Sequence, residues 1–402
     1  MLGYSFGLPS PIALEIKSSN ILDDYQFGIF SGIFYLAAAI SGLIAIPMMY
    51  WLGRKSVIVI AAIISAGGWI LLGSSRLPEL LICARVVIGL GSGLSTPIVP
   101  IYIAELANKN TRGRHLSVVV SIDLEKKALQ TLETLRCKDY DALEEVKEII
   151  QVVAENKNTF LSKISLLFKL YHLKALFVVS LAMISNQSSG VNLIGSYSSE
   201  LLNNDRINPN VIGLVMPIGQ IAAILVTLIL IEKIGRKILF ILSLVGIILA
   251  LFLMGTYLLL IDQICPLMSS FPNSTLVASC ESEYLIAWPI LTFVLFNLAF
   301  SSGNGPIGFI LLGELIPQKV KNIVSGFGTF ILFMTAFLIV TFYPIITNQI
   351  PRAYFIYALA VFNIVLCILI ATLTPESKGK SVGELEKLFQ ENTVFCCKKT
   401  VN

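Results

Sequence analysis

Polar and apolar residues along this chain fall into long blocks, not short alternations. Tyr25 to Leu52 carries no charged residue, Ser56 to Gly73 follows in the same way, and Leu80 to Ala107 adds only Arg85 and Glu105. Further apolar blocks run Ala175 to Leu201, Val211 to Ile234, Leu239 to Ile261, Leu285 to Leu312, Ile323 to Ile345 and Tyr354 to Leu373. A helix of about 20 such residues crosses the ~30 Å hydrocarbon layer, so the pattern predicts about nine full membrane spans. Between them the pattern changes. From Asn108 to about Lys174 the chain is polar, with Leu124, Ala128, Leu132 and Leu135, then Leu143, Val146, Ile149 and Ile150, at three- and four-residue steps. That is the period of amphipathic helices lying outside the bilayer. Leu2 to Ile16 is apolar but covers only about 22 Å at ~1.5 Å per residue. It lacks the basic start and small-residue cleavage site of a signal peptide. It reads as the back half of a first span, so Met1 is expected not to be the natural start.

Composition narrows the class. The 402 residues are 55% hydrophobic and 13% charged, where a soluble domain carries about 25% charged. A net charge of +4, dispersed along the chain, is no footprint for nucleic acid, and seven cysteines are no disulfide scaffold. The fold class expected is all-α and polytopic. Lysines and arginines set its orientation. Gly53–Arg54–Lys55, Lys233 to Lys237, Lys319 to Lys321, the 108–174 segment and the Lys-rich tail share one side, which is then cytoplasmic. Both termini fall there once the first span is completed. The loop Asp262 to Tyr284 is then extracellular. There Cys265 and Cys280 are placed to form a disulfide, and Asn273–Ser–Thr is a glycosylation acceptor. Cys396–Cys397 beside Lys398–Lys399 is a candidate palmitoylation site.

Two signatures occur twice. Gly53–Arg54–Lys55 and Gly235–Arg236–Lys237 each follow a span, and Glu105 precedes Arg112 as Glu314 precedes Lys321, by seven residues. Recurrence in the same order indicates parallel repeats, a common transporter plan. The second half has six spans and the first has four before the polar segment. A pair of spans is therefore expected to be missing between about Arg114 and Asp123. The domains read as an incomplete bundle (1–107), a cytoplasmic segment (108–174), a six-helix bundle (175–373) and a tail (374–402).

With these motifs, the chain resembles the sugar porter branch of the major facilitator superfamily, and within it the insect facilitated trehalose and hexose transporters. The resemblance rests on both Gly-Arg-Lys motifs, Arg85, Glu105 to Arg112–Gly113, Asn186–Gln187–Ser–Ser–Gly190–Val–Asn192, Gly303–Asn304–Gly305–Pro306, and Pro375–Glu376–Ser377–Lys378–Gly379. It implies a two-bundle fold and facilitative uniport of a sugar such as glucose or trehalose, by alternating access in the plasma membrane. The partners are then the sugar and the lipid bilayer, not nucleic acid, and no cofactor is implied. The family's fifth and sixth helices have no counterpart here, and Leu332–Phe333 stand where it has an Asn-Trp pair. These departures motivate a second reading, a non-transporting member that senses sugar or associates with full-length relatives. No nucleophile–base constellation, metal-ligand spacing or nucleotide loop appears in the sequence, so an enzyme is not expected.

A sugar needs neutral donors and acceptors plus a flat apolar face near the bilayer midplane. Gln187 and Asn192, five residues apart, diverge by about 140° on an unbroken helix. Gly190 between Ser189 and Val191 allows a break that lets both amides face one cavity. The resemblance adds Asn186, Gln220, Asn304 and Phe309, the last standing where the family has Trp. Interhelical hydrogen bonding is the competing role for the amides. Gly303, Gly305 and Pro306 read either as a bending gate or as close packing. Arg54, Glu105, Arg112, Glu232, Arg236, Glu314, Lys321 and Glu376 read either as cytoplasmic ion pairs that break as the halves rock, or as charges snorkelling at helix ends. Arg85, inside a span, is expected to face the cavity because an intramembrane charge is costly. Symporting relatives carry an acid in the first helix where this chain has Ser5, and His115 and His172 fall in the polar segment, which favours uniport.

Overall fold

The computed structural model describes residues 24–74, 77–107, 170–201, 219–220, 223, 225, 227, 230, 233–264, 284–316 and 320–376. Every regular element among them is helical. The first group is α1 (Asp24–Trp51), α2 (Arg54–Ser74), α3 (Pro78–Ser95) and α4 (Ile98–Ala107). After the polar segment come α5 (Leu170–Ser188), α6 (Val191–Leu201) and α7 (Arg236–Leu259), which ends in a π turn over Leu260–Ile264. Then α8 (Tyr284–Ala299) passes through a second π turn, Phe300–Asn304, into α9 (Gly305–Glu314), and α10 (Lys321–Thr347) and α11 (Arg352–Leu373) follow. Eight spans among the described residues are long and apolar enough to cross a membrane. The ninth expected block, Val211 to Ile234, is described only in part.

Two boundaries differ from expectation. Leu80 to Ala107 is two helices, because Pro97 lacks the N–H that would continue α3. α5 starts at Leu170 instead of Ala175, so His172 belongs to a helix and is buried, not part of a polar segment. Leu2 to Ile16, Ser5, residues 108–169 with Arg112 and His115, Glu232, Cys265, Asn273, Cys280 and the tail with Cys396 and Cys397 lie outside the described residues. So do the side chains of Glu105 and Glu314.

Both Gly-Arg-Lys motifs make the same turn. Gly53 (φ +76°) and Gly235 (φ +101°) take the left-handed backbone that only glycine adopts cheaply, and α2 and α7 begin at the arginine that follows.

α1, α2 and α3 pack on one another, α5 to α11 form the second bundle, and α1 lies antiparallel along α10. This seam runs the whole length of both helices. Gly28 and Gly32 meet Pro344 and Thr341, Gly42 meets Thr329, and Ile46 sits over Gly326. Missing side chains on the glycines let the backbones approach, as is usual between helices in lipid. Ile63 and Ile70 of α2, Leu291 of α8 and Val361 and Ile368 of α11 point outward and exposed. Such surface suits lipid, not water.

Candidate functional site

α5 stops at Ser188 and α6 starts at Val191, with Gly190 at φ +85° between them. A side chain at φ near +85° is strained, so glycine sets the break. The break folds Asn192 back until its Nδ2 donates to Gln187 Oε1. Gln187 Nε2 in turn donates to Asn186 Oδ1 at 2.9 Å. Asn186 Nδ2 donates to the carbonyls of Asn304 at 2.9 Å and Gly305 at 3.3 Å. All three side chains are buried, and the chain of amides runs from one broken helix to the other.

The second break has its own cause. Pro306 supplies no N–H, and the Gly305 N–H reaches back five residues to the Phe300 carbonyl. The Ser243 hydroxyl of α7 inserts into the widened turn. It accepts from the Asn304 N–H at 2.7 Å and donates to the Ala299 carbonyl at 2.7 Å, a known cause of helix distortion. Gly303 leaves room for this, since a Cβ there would lie 2.4 Å from Ser243 Cβ. The Gly303–Pro306 stretch therefore combines close packing with a loosened turn. Asn304 is wholly buried. Its Nδ2 donates to the Ser185 carbonyl at 3.0 Å and its Oδ1 accepts from Ser185 Oγ at 3.2 Å, which makes it a bracket between α5 and α9.

Gln220 sits elsewhere in the bundle. Its Nε2 donates to Asn297 Oδ1 of α8 at 2.8 Å, and Asn297 is tied to the Phe293 carbonyl. Phe309 is half-buried and packs against the main core. Arg85 of α3 is fully buried, its guanidinium 4.8 Å from the ring centre of Phe30 and 5.5 Å from that of Phe34, both on α1. Stacking on two aromatic faces is one way to hold a desolvated cation.

At the Arg54 end, Arg54 Nη2 donates to Asn322 Oδ1 of α10 at 3.1 Å and so ties the two bundles. Lys321 Nζ donates to the Gly313 carbonyl in the last turn of α9 at 2.8 Å, where the helix dipole favours a cation. Glu376 receives the backbone N–H groups of Arg236 and Lys237 at 3.1 and 3.2 Å, capping α7 from the far end of α11. The motif residues thus meet through backbone groups within the second bundle. At the opposite end Phe27 of α1 packs edge-on to Tyr197 of α6, and Tyr197 packs on Tyr343 of α10. Tyr197 breaks the helical backbone (φ −118°, ψ 15°), and its hydroxyl donates to the Val340 carbonyl at 3.2 Å. Arg352 makes a bidentate pair with Asp262 at 2.6 and 3.0 Å, joining α11 to the end of α7.

Asn297, Asn322, Asn363, Tyr197 and the Asp262–Arg352 pair were not among the residues singled out from the sequence. A lone amide inside an apolar span, such as Asn363, is the kind of signal that marks one.

Membrane spans in two bundles, with an uncharged polar cluster where two helices break, form an arrangement that suits a solute transporter. The chain belongs to the sugar transporter family: the model of the family described as "Sugar (and other) transporter" matches residues 10–122 and 118–389. That family comprises transporters, not enzymes. The chain is 22% identical over 436 residues to a facilitated trehalose transporter of Bombyx mori, covering 96% of this chain and 83% of that one. It is 24% identical over 460 residues to the solute carrier family 2 facilitated glucose transporter member 6 of Mus musculus, covering 96% and 88%. Among solved structures it is similar to the major facilitator superfamily proton:xylose symporter bound to 6-bromo-6-deoxy-D-glucose, with a TM-score of 0.69 at 16% identity over 96% of each chain. The fold is that of the major facilitator superfamily, and the chain is a multi-pass membrane protein.

Proposed function

We propose that the chain carries a neutral sugar such as glucose or trehalose across the plasma membrane as a uniporter, by alternating access. The observation that carries this reading is the amide chain Asn192–Gln187–Asn186 at a glycine break. Each amide offers donor and acceptor together, which matches a hydroxyl that does both. An entering sugar exchanges its hydroxyls for the amide–amide bonds, and Phe309 offers a flat face. Gln220, held by Asn297 apart from this cluster, is a further candidate sugar contact. Uniport is favoured because the buried polar side chains of this cluster, Ser185, Asn186, Gln187, Ser188, Ser189, Asn192 and Asn304, are amides and hydroxyls.

Opening at one end separates Phe27 from Tyr197, and opening at the other separates Arg54 from Asn322. By the charge rule the Arg54 end is cytoplasmic, together with the 108–174 segment. The family match falls in two stretches that meet at residues 118–122. This supports a missing pair of spans at that place.

Uptake of radiolabelled D-glucose and trehalose into proteoliposomes decides the matter. Saturable uptake that discriminates against L-glucose and ignores a protonophore is expected. Folded protein that binds sugar yet takes up none would reject transport and favour association with full-length relatives.

A further inference from the structure

Asn363 lies in the middle of α11 with no exposed surface. Its Nδ2 donates to the Ser188 carbonyl at 2.7 Å and to the Leu359 carbonyl one turn back at 2.8 Å, while its Oδ1 accepts from Ser188 Oγ at 3.2 Å. Ser188 is the last residue of α5. In an unbroken helix its carbonyl would accept from the Asn192 N–H, four residues on. Leu359, on the same face of α11, is the group nearest to where a Gly190 side chain would point, at 3.6 Å. One face of α11 therefore lies against the break, and its only amide takes the carbonyl that the break releases.

We infer that Asn363 is a positioning residue for the sugar site: it holds the α5–α6 helix open at Ser188–Gly190 and so keeps Asn192 turned back onto Gln187. The inference rests on the proposed sugar site for its functional consequence, though not for its geometry. Without the Asn363 donor, the Ser188 carbonyl recovers a partner by capturing the Asn192 N–H. The helix then closes up and swings the Asn192 side chain away from Gln187. Gly190 acts on the same equilibrium from the other side, because its positive φ is compatible with the break and strained for any other residue. Asn363 and Gly190 therefore oppose one process, the healing of the helix.

The test uses the full chain in nanodiscs, with its native cysteines replaced and nitroxide labels at Phe177→Cys on α5 and Gly195→Cys on α6. The distance distribution between the labels is read without sugar, and equilibrium binding of D-glucose and trehalose is read beside it. Asn363→Leu is expected to shift the distribution toward the distance of a continuous helix and to weaken binding about tenfold, the scale of one lost buried hydrogen bond. Gly190→Ala is expected to do the same, and the double variant to add little to either, since both act on one equilibrium. Where Asn363→Leu does not fold, Asn363→Ser carries the same expectation, because a serine hydroxyl bonds back to the Leu359 carbonyl and no longer reaches Ser188. Unchanged distances, or effects of Asn363 and Gly190 that add in full, would overturn the assignment and leave Asn363 as interhelical glue. A wild-type chain that binds neither sugar while the distances shift as described would refute the sugar reading and leave the brace intact.

Discussion

Asn192 donates to Gln187, so at the proposed site the two amides depend on each other. Removing either by Gln187→Ala or Asn192→Ala should weaken D-glucose or trehalose binding about tenfold to a hundredfold, the range for one lost bond plus its orphaned partner. The double variant should cost clearly less than the two losses combined, since the second substitution removes a group already orphaned. Isothermal titration across the four proteins checks this, and full additivity would mean the two amides act apart. At this scale the sequence was informative where a polar run coincided with a glycine. Asn186, Gln187, Gly190 and Asn192 sit together, and the geometry followed from helix angles alone. It was uninformative for Asn304, whose amide is used up on Ser185, and for Asn363. An amide in an apolar span reveals that it must find a partner, and not which neighbouring helix supplies it.

Helix starts and breaks form the next scale. α7 begins on a glycine of positive φ and is capped by a carboxylate from beyond α11, whereas α2 begins on the same motif. A Cβ at Gly235 would approach Glu376 Oε2 to 3.0 Å, while at Gly53 nothing lies within 4 Å. Gly235→Ala should therefore lower thermal stability more than Gly53→Ala. Glu376→Ala should cost about 0.5–2 kcal/mol, the range for losing a helix N-cap. Thermal unfolding in detergent gives the order, and an equal loss at both glycines would show that strain alone matters there. The spans themselves were legible because lipid demands long unbroken apolar runs. Their interruptions were less so. Pro97 divides what hydropathy joins, and the π turn at Phe300–Asn304 depends on Ser243, a residue of another helix.

For the molecule as a whole, the seam between α1 and α10 joins the two bundles, and the alternating access proposed above requires it to open. Cysteines replacing Gly32 and Thr341 at one end, or Gly42 and Thr329 toward the other, would have Cβ atoms near 3.1 and 3.2 Å. That lies close to the span of a disulfide. Either cross-link should abolish uptake and reductant should restore it. Continued transport by fully cross-linked protein would show that the seam does not open. The doubled Gly-Arg-Lys motif was legible, and both copies make a positive-φ turn before a helix. The seam was not, because it joins glycines and threonines some three hundred residues apart in the chain, and nothing local in either span names the other.

The idle cluster is already content. Every hydroxyl a visitor presents must displace a bond that the amides were making with each other, so the gain on docking is a difference between near equals. On the proposed reading a small net gain means a loose grip and quick release, which suits the downhill carriage proposed above.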